Sequence, residues 1–213
     1  MQDFLGDSMR SKLYSDFYKS SFGQEILKRE VRFIKDELNG CKKVLSIGCG
    51  SAIHEVQLAN LNPETEIIGL DISKDMLSQV PKLPTNIDLI LGNAEDLGFK
   101  DNIFDLVYFL TSLEFTNDVE KTLLETKRIL KPNGRAIFMV VNINSWYVQK
   151  ELREGNSYIK RKLKNMEGEN LKKIISKHFK ITYFKLMLGI HKEEIFESED
   201  PKWASLFVIK SIK

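Results

Sequence analysis

Apolar residues recur along this chain with two alternating periods, and the alternation predicts the architecture. Leu27, Val31, Ile34 and Leu38 follow one another at spacings of four, three and four, the stripe of an amphipathic helix. Asn39-Gly40 ends that stripe, since both residues tolerate the left-handed backbone of a helix C-terminus. An apolar run over 43–48 then predicts a buried strand, and 53–61 a helix stopped by Asn62-Pro63. The cycle repeats. A strand over 66–70 ends at Asp71, Ser73 caps a helix carrying Met76 and Leu77, and strands follow at 86–91 and 104–110. Val119, Leu123, Thr126 and Leu130 make the next helical stripe, closed by Lys131-Pro132-Asn133-Gly134, and 135–141 is the fifth strand. Strands alternating with helices imply βαβ units, hence an α/β, Rossmann-like sheet with helices on both faces.

The last third differs. Residues 145–179 are polar and mostly helical, with Leu171, Ile174, Ile175 and Phe179 as a docking stripe. Two strands, 180–188 and 203–212, follow with only an acidic loop around 193–200 between them, which predicts an antiparallel pair at the C-terminal sheet edge. The expected sheet is thus seven-stranded and mostly parallel. The expected organisation is one domain over 1–213: a helical lid segment (1–40), a cofactor-binding core (41–144), then helices and the strand pair (145–213).

Composition narrows the class. Hydrophobic residues at 42% and charged residues at 29% fit a globular protein and not a disordered one. The formal net charge of +2 gives no bulk-charge reason to expect nucleic acid. Residues 149–180 hold ten Lys and Arg against four Glu. That excess reads first as a solvated helix face balanced by the acidic loop, with an anionic acceptor or RNA as the alternative. Cys41 and Cys49 are too few for a disulfide framework and lack zinc-ligand spacing, so no metal is expected. The longest apolar run, 136–141, is six residues, far short of the ~20 that span a bilayer. The N-terminus lacks the basic start and apolar core of a signal peptide, and a cytoplasmic protein with reduced cysteines is expected.

The first strand runs into Ile47-Gly48-Cys49-Gly50-Ser51-Ala52. Glycines at a strand-to-helix turn let a ligand approach the backbone, as in nucleotide-type sites. A dinucleotide fingerprint wants glycine where Ile53 stands, and a P-loop wants a Gly-Lys-Ser/Thr that is absent, which disfavours NAD, FAD and ATP. Asp71 ends the second strand, 21 residues after Gly50, where a carboxylate can accept bonds from ribose hydroxyls. The polar turn 92–96 is placed to meet an adenine ring. The fourth strand ends at 109–114, beside the topological switch point. Four strand ends thus present contacts to one adenosine-like molecule.

Five stretches together resemble a class I S-adenosylmethionine-dependent methyltransferase of the small-molecule type, the group that includes ubiquinone/menaquinone-biosynthesis enzymes. They are VLSIGCGS (44–51), IIGLDISKDML (67–77), GNAEDLGF (92–99), FDLVYFLTSLEF (104–115) and RILKPNGRAIFMV (128–140). The resemblance implies S-adenosyl-L-methionine as cofactor, S-adenosyl-L-homocysteine as product and a small-molecule acceptor. It places Gly48, Cys49 and Gly50 under the methionine part and Asp71 on the ribose. Ile72 and Met76 would pack on the adenine, Asn93, Ala94 and Glu95 meet its edge, and Leu110 lines the floor beneath the sulfonium. The family often has an acidic residue where Ser46 stands, a third glycine where Ala52 stands, and Asp where Asn93 stands. Tyr14, Phe17, Tyr18 and Gly23 resemble an N-terminal entry that lies over the pocket in some members, and Ser145-Trp146-Tyr147 resembles a subgroup motif. Tyr14, Tyr18, Trp146 and Glu114 are therefore the expected acceptor-binding residues.

Methyl transfer from a sulfonium is an in-line displacement with an activated leaving group, so alignment and exclusion of water are the protein's main task. No obligatory catalytic residue is expected. Glu114 is the candidate base, with anchoring of the loop as its alternative role. His54 reads as a surface or helix-start residue, Cys49 as packing and Asp105 as structural. Two further functions stay open: a catalytically silent, methyltransferase-like binding or interaction domain, and an RNA-directed methyltransferase. Against nucleic acid, Leu110-Thr111-Ser112-Leu113 lacks the Asn/Asp-Pro-Pro-aromatic motif of base-amino methylation, and no Pro-Cys nucleophile is present.

Overall fold

Five parallel strands in the order β3-β2-β1-β4-β5 form the body of one sheet, extended by β8, β6 and β7. The computed structural model describes residues 4–80, 83–154 and 168–213, with side chains from residue 11 onward. The helical expectation over 145–179 and the basic excess at 149–180 fall partly on 155–167, outside the described residues.

The parallel strands are β1 (Lys43–Ile47), β2 (Glu66–Asp71), β3 (Ile87–Leu91), β4 (Phe104–Leu110) and β5 (Leu130–Val141). α1 (Phe4–Lys19) and α2 (Ser21–Glu37) precede β1, and α3 (Ile53–Leu61), α4 (Lys74–Leu77) and α5 (Val119–Ile129) lie between strands. After β5 come α6 (Trp146–Glu154) and α7 (Gly168–Ser176), then β6 (Lys180–His191), β7 (Glu194–Phe196) and β8 (Ala204–Ile212). β8 runs antiparallel to both β5 and β6. The mostly parallel architecture with an antiparallel pair at the C-terminal edge is the expected one.

Two differences are local. The acidic loop at 193–200 contains β7, which turns back on β6 with Gly189 opposite Phe196, so the sheet has eight strands. β5 begins at Leu130: its register with β4 jumps from Phe104↔Leu130 to Leu106↔Arg135. Residues 131–134, with Asn133 at φ 61°, bulge out of the ladder instead of closing the preceding helix.

β1, β2, β4 and the second half of β5 are buried on both faces, which is why they read as continuous apolar runs, whereas β3 at the edge is half-buried. One apolar layer joins Leu27, Val31 and Ile34 of α2 to Val44, Leu106 and Tyr108. The other joins Leu123 of α5 and Leu171 and Ile175 of α7 to Leu45, Val107 and Phe138. α2 is started by Ser20, whose hydroxyl accepts the Gly23 N–H at 3.0 Å. β1 pairs with β2 on one side and β4 on the other, so the chain leaves the sheet centre in two directions. That reversal opens a crevice at the carboxyl ends of the strands. No helix among the described residues is long and apolar enough to cross a membrane.

Candidate functional site

The crevice is built by backbone turns that fasten to one another. Gly48 and Gly50 both have positive φ, 78° and 57°, in the turn after β1. A Cβ on Gly48 would stand 2.4 Å from Ser112 Cβ, and the Ser112 hydroxyl donates to Ile47 O at 2.5 Å. The turns after β1 and β4 thus interlock. Asp71 ties in β2: its Oδ2 accepts the Gly50 N–H at 2.7 Å and its Oδ1 the Ser73 N–H at 2.8 Å. Burial raises the Asp71 carboxyl above its ordinary value, although these N–H bonds pull the other way.

A cavity of about 490 Å³ occupies the crevice. Gly48, Gly50, Asp71, Ile72, Met76, Asn93, Ala94, Glu95, Leu110 and Tyr14 all border it. Ile72 is 69% exposed at its mouth. Asn93 and Glu95 are partly engaged already: Asn93 Oδ1 accepts the Glu95 N–H, and Glu95 Oε1 accepts the N–H groups of Asn117 and Asp118. Above the mouth, Ser15 of α1 donates to Gln79 Oε1 at 2.6 Å, so the N-terminal helix reaches across to the turn after α4. Sequence reasoning did not single out Thr111, Ser112, Phe115 or Asn117, which also border the cavity. Only the interlock with Gly48 gives one of them a signal, since a small residue must stand at 112.

Cys49 does not border the cavity. Its side chain is buried with its thiol near Gly50 O, and burial pushes that thiol well above its usual range. Packing is its role.

A second cavity, of about 130 Å³, lies on the other side of Thr111, which borders both. Tyr18 belongs here, with Phe17 and Tyr147. Trp146 borders neither cavity; its ring meets those of His191 at 4.9 Å and, through His191, Trp203. Successive helix residues point about 100° apart, so with Trp146 turned toward β6, Tyr147 faces the cavity instead. Glu114 also borders neither. It is 0% exposed and its Oε1 accepts the Val141 N–H at 2.6 Å, so the carboxyl anchors the loop instead of meeting an acceptor. Burial pushes it up to about 7.

His54 is not on the surface. It opens α3 but is 2% exposed, with Nε2 2.8 Å from Glu30 Oε2, because the first turn of α3 packs beneath α2. Asp105 is structural: it accepts the Lys42 and Lys43 N–H groups and faces Lys131 Nζ at 2.7 Å. Against the upward push of burial, these partners hold its carboxyl below the usual range. Among the described residues no cluster of three His, Cys, Asp or Glu could hold a metal ion.

Known proteins match this arrangement. Residues 45–138 match the family model described as a methyltransferase domain. An uncharacterised protein of Methanocaldococcus jannaschii is 33% identical over 194 residues, covering 88% of this chain and 73% of that protein. The demethylmenaquinone methyltransferase of Staphylococcus carnosus is 39% identical over 99 residues. The chain belongs to the class I S-adenosylmethionine-dependent methyltransferases. Its match to the S. carnosus enzyme covers 45% of this chain and spans 41% of that enzyme's length. The likeness in fold to solved structures reaches beyond that matched part. A Thermotoga maritima structure, described as a methyltransferase and possible histamine N-methyltransferase, superposes with a TM-score of 0.78 at 22% identity and 99% coverage of both chains. An Archaeoglobus fulgidus methyltransferase gives 0.75 at 18% identity, covering 99% of this chain and 100% of that one.

Proposed function

We propose that this protein transfers a methyl group from S-adenosylmethionine to a small-molecule acceptor. The observation that carries the reading is the 490 Å³ cavity, bordered by bare glycine backbone and by the carboxylate fastened to it. Its residues fit the cofactor. A Cβ on Gly50 would stand 3.6 Å from the Tyr14 ring, narrowing the passage in which the methionine part would lie. Each Asp71 oxygen holds one backbone N–H and keeps further acceptor capacity, enough for a pair of adjacent hydroxyls. Ile72, an exposed aliphatic side chain at the mouth, offers a face that a flat ring would cover.

S-adenosylmethionine, when bound, supplies a methyl group already activated by the sulfonium charge. The chain's own residues then orient and enclose. Asp71 fixes the ribose, Ile72 and Met76 hold the adenine, and Asn93 meets its edge. Leu110 borders this cavity, Thr111 borders both it and the second one, and Tyr14 of α1 shuts out water as part of the lid of a single domain over 1–213. No residue is required to break a bond in the donor.

Isothermal titration calorimetry tests this. S-adenosylmethionine is expected to bind with a micromolar Kd, and Asp71→Ala to weaken it at least about tenfold, the scale of hydrogen bonds to a charged group. Absence of binding to the unsubstituted protein overturns the reading.

A further inference from the structure

The second cavity carries its own chemistry. Its walls are mainly aliphatic and aromatic, and the carboxylates of Glu30 and Glu151 interrupt them. Glu30 is 3% exposed, and its hydrogen bonds among the described residues fall on one oxygen. His54 Nε2 stands 2.8 Å from Oε2, and Tyr18 donates to the same oxygen at 3.3 Å. Oε1 keeps its acceptor capacity at the cavity wall. On the same wall Ser205 is 4% exposed, and its hydroxyl has no partner among the described residues. A buried hydroxyl in that state calls for a ligand or water to meet it.

Charge selects the ligand. No Lys, Arg or His among the described residues borders this cavity. Carboxylates in an apolar wall repel an anion and favour a cation or a strong N–H donor. Size selects further. A dry cavity of ~150 Å³ admits a benzene-sized molecule, so about 130 Å³ holds about one ring or a short branched chain.

We propose that this cavity receives the methyl acceptor and that the acceptor is a small amine, about one ring in bulk, whose N–H groups Glu30 holds. The proposal rests on the methyltransferase reading above. His54 and Tyr18 are positioning residues that occupy Oε2 and leave Oε1 to the ligand. In the transfer, the amine reacts as its neutral base, its proton having been lost to water before the site closes; its lone pair forms a bond to the methyl carbon while the electrons of the carbon–sulfur bond go to sulfur. The sulfonium becomes a neutral thioether and the amine becomes a methylated ammonium. The positive charge therefore arrives on nitrogen, beside the Glu30 carboxylate, which stabilises it where it develops.

Three probes matched in ring size test the proposal: benzylamine, benzyl alcohol and benzoate, titrated into the full chain saturated with S-adenosylhomocysteine. Benzylamine is expected to bind at least about tenfold more tightly than benzoate, the scale of a charge-assisted hydrogen bond, with benzyl alcohol between them. Glu30→Gln is expected to remove most of that preference while the affinity for S-adenosylhomocysteine stays as it was. Should Glu30→Gln not fold, Glu151→Gln removes the other carboxylate of the wall and is expected to lower the preference about threefold. Benzoate binding as tightly as benzylamine, or a preference unchanged in the folded variant, overturns the proposal. Failure of S-adenosylhomocysteine to bind overturns instead the methyltransferase reading, and the acceptor role with it.

Discussion

Glu55 Oε1 accepts a hydrogen bond from Ser46 Oγ at 2.6 Å, carrying a carboxylate from α3 back to the end of β1. Tyr108 donates to the same oxygen at 2.7 Å, and Oε2 is buried without a partner among the described residues. In the family that the sequence resembles, the position of Ser46 is often acidic. Here the strand supplies a hydroxyl and the helix supplies the carboxyl group that meets it.

Restoring the family pattern should therefore harm this protein. Ser46→Asp sets a second buried carboxylate against Glu55 and is expected to lower stability by about 3 kcal/mol, the scale of an uncompensated buried charge. The double variant Ser46→Asp/Glu55→Gln removes the conflict and should recover most of that loss. Urea denaturation of the four proteins in the cycle measures the coupling, and additive effects would contradict it.

Gly48 admits no side chain. Gly48→Ala forces an L-residue to φ 78° and drives its Cβ to 2.4 Å from Ser112 Cβ. The strain and the overlap together should cost about 3 kcal/mol. Thermal denaturation should show the loss, and calorimetry a loss of S-adenosylmethionine binding in whatever protein stays folded.

Cofactor affinity should depend on pH through Asp71. Burial raises its carboxyl, so the ionised form that accepts hydroxyl bonds is lost at a higher pH than for an exposed aspartate. Affinity is expected to be full above that raised value and to fall as the pH drops through it. Asp71→Asn should bind weakly at every pH, with a flat profile. A calorimetric titration repeated from neutral to mildly acidic buffer checks both.

Glu114 should leave its mark on stability and not on turnover. Its folded value of about 7 lies above the ordinary glutamate value of 4.5, so the fold favours the protonated form. The stability this gives is complete below 4.5 and is lost as the pH rises to about 7, amounting to about 3 kcal/mol over that window. Glu114→Gln keeps an acceptor for the Val141 N–H and does not titrate, so its stability relative to the unsubstituted protein should rise across the same window. Denaturant midpoints for the pair against pH decide the matter; parallel profiles would refute it.

The crevice at the carboxyl ends of the strands was legible in the sequence because its determinants are local. Gly48 and Gly50 mark a turn, Asp71 closes the next strand, and both sit at fixed offsets from apolar runs. What was not legible depends on packing between distant segments. Glu30 and His54 lie 24 positions apart, on two helices whose periodicity gives no hint that their polar residues meet. Trp146 and Tyr147 differ by one step of a helix, and the direction of that step is set by β6 and not by the motif. The bulge at 131–134 carries Pro-Asn-Gly, which reads as a turn whether or not a strand resumes. β7 is three residues long, too short for alternation to show.

The seat of β8 constrains how the protein can be made. β8 follows β6 and β7 along the chain, yet it lies between β5 and β6 in the sheet. During synthesis β6 can pair only with the short β7 until β8 has emerged, and β5 keeps one edge open for the same interval. The second cavity takes walls from β6 at Leu188 and Ile190 and from β8 at Ser205 and Leu206. The β1–β5 half can assemble on the ribosome first, whereas the second cavity closes in a single late step, when one strand slides between two that are already made.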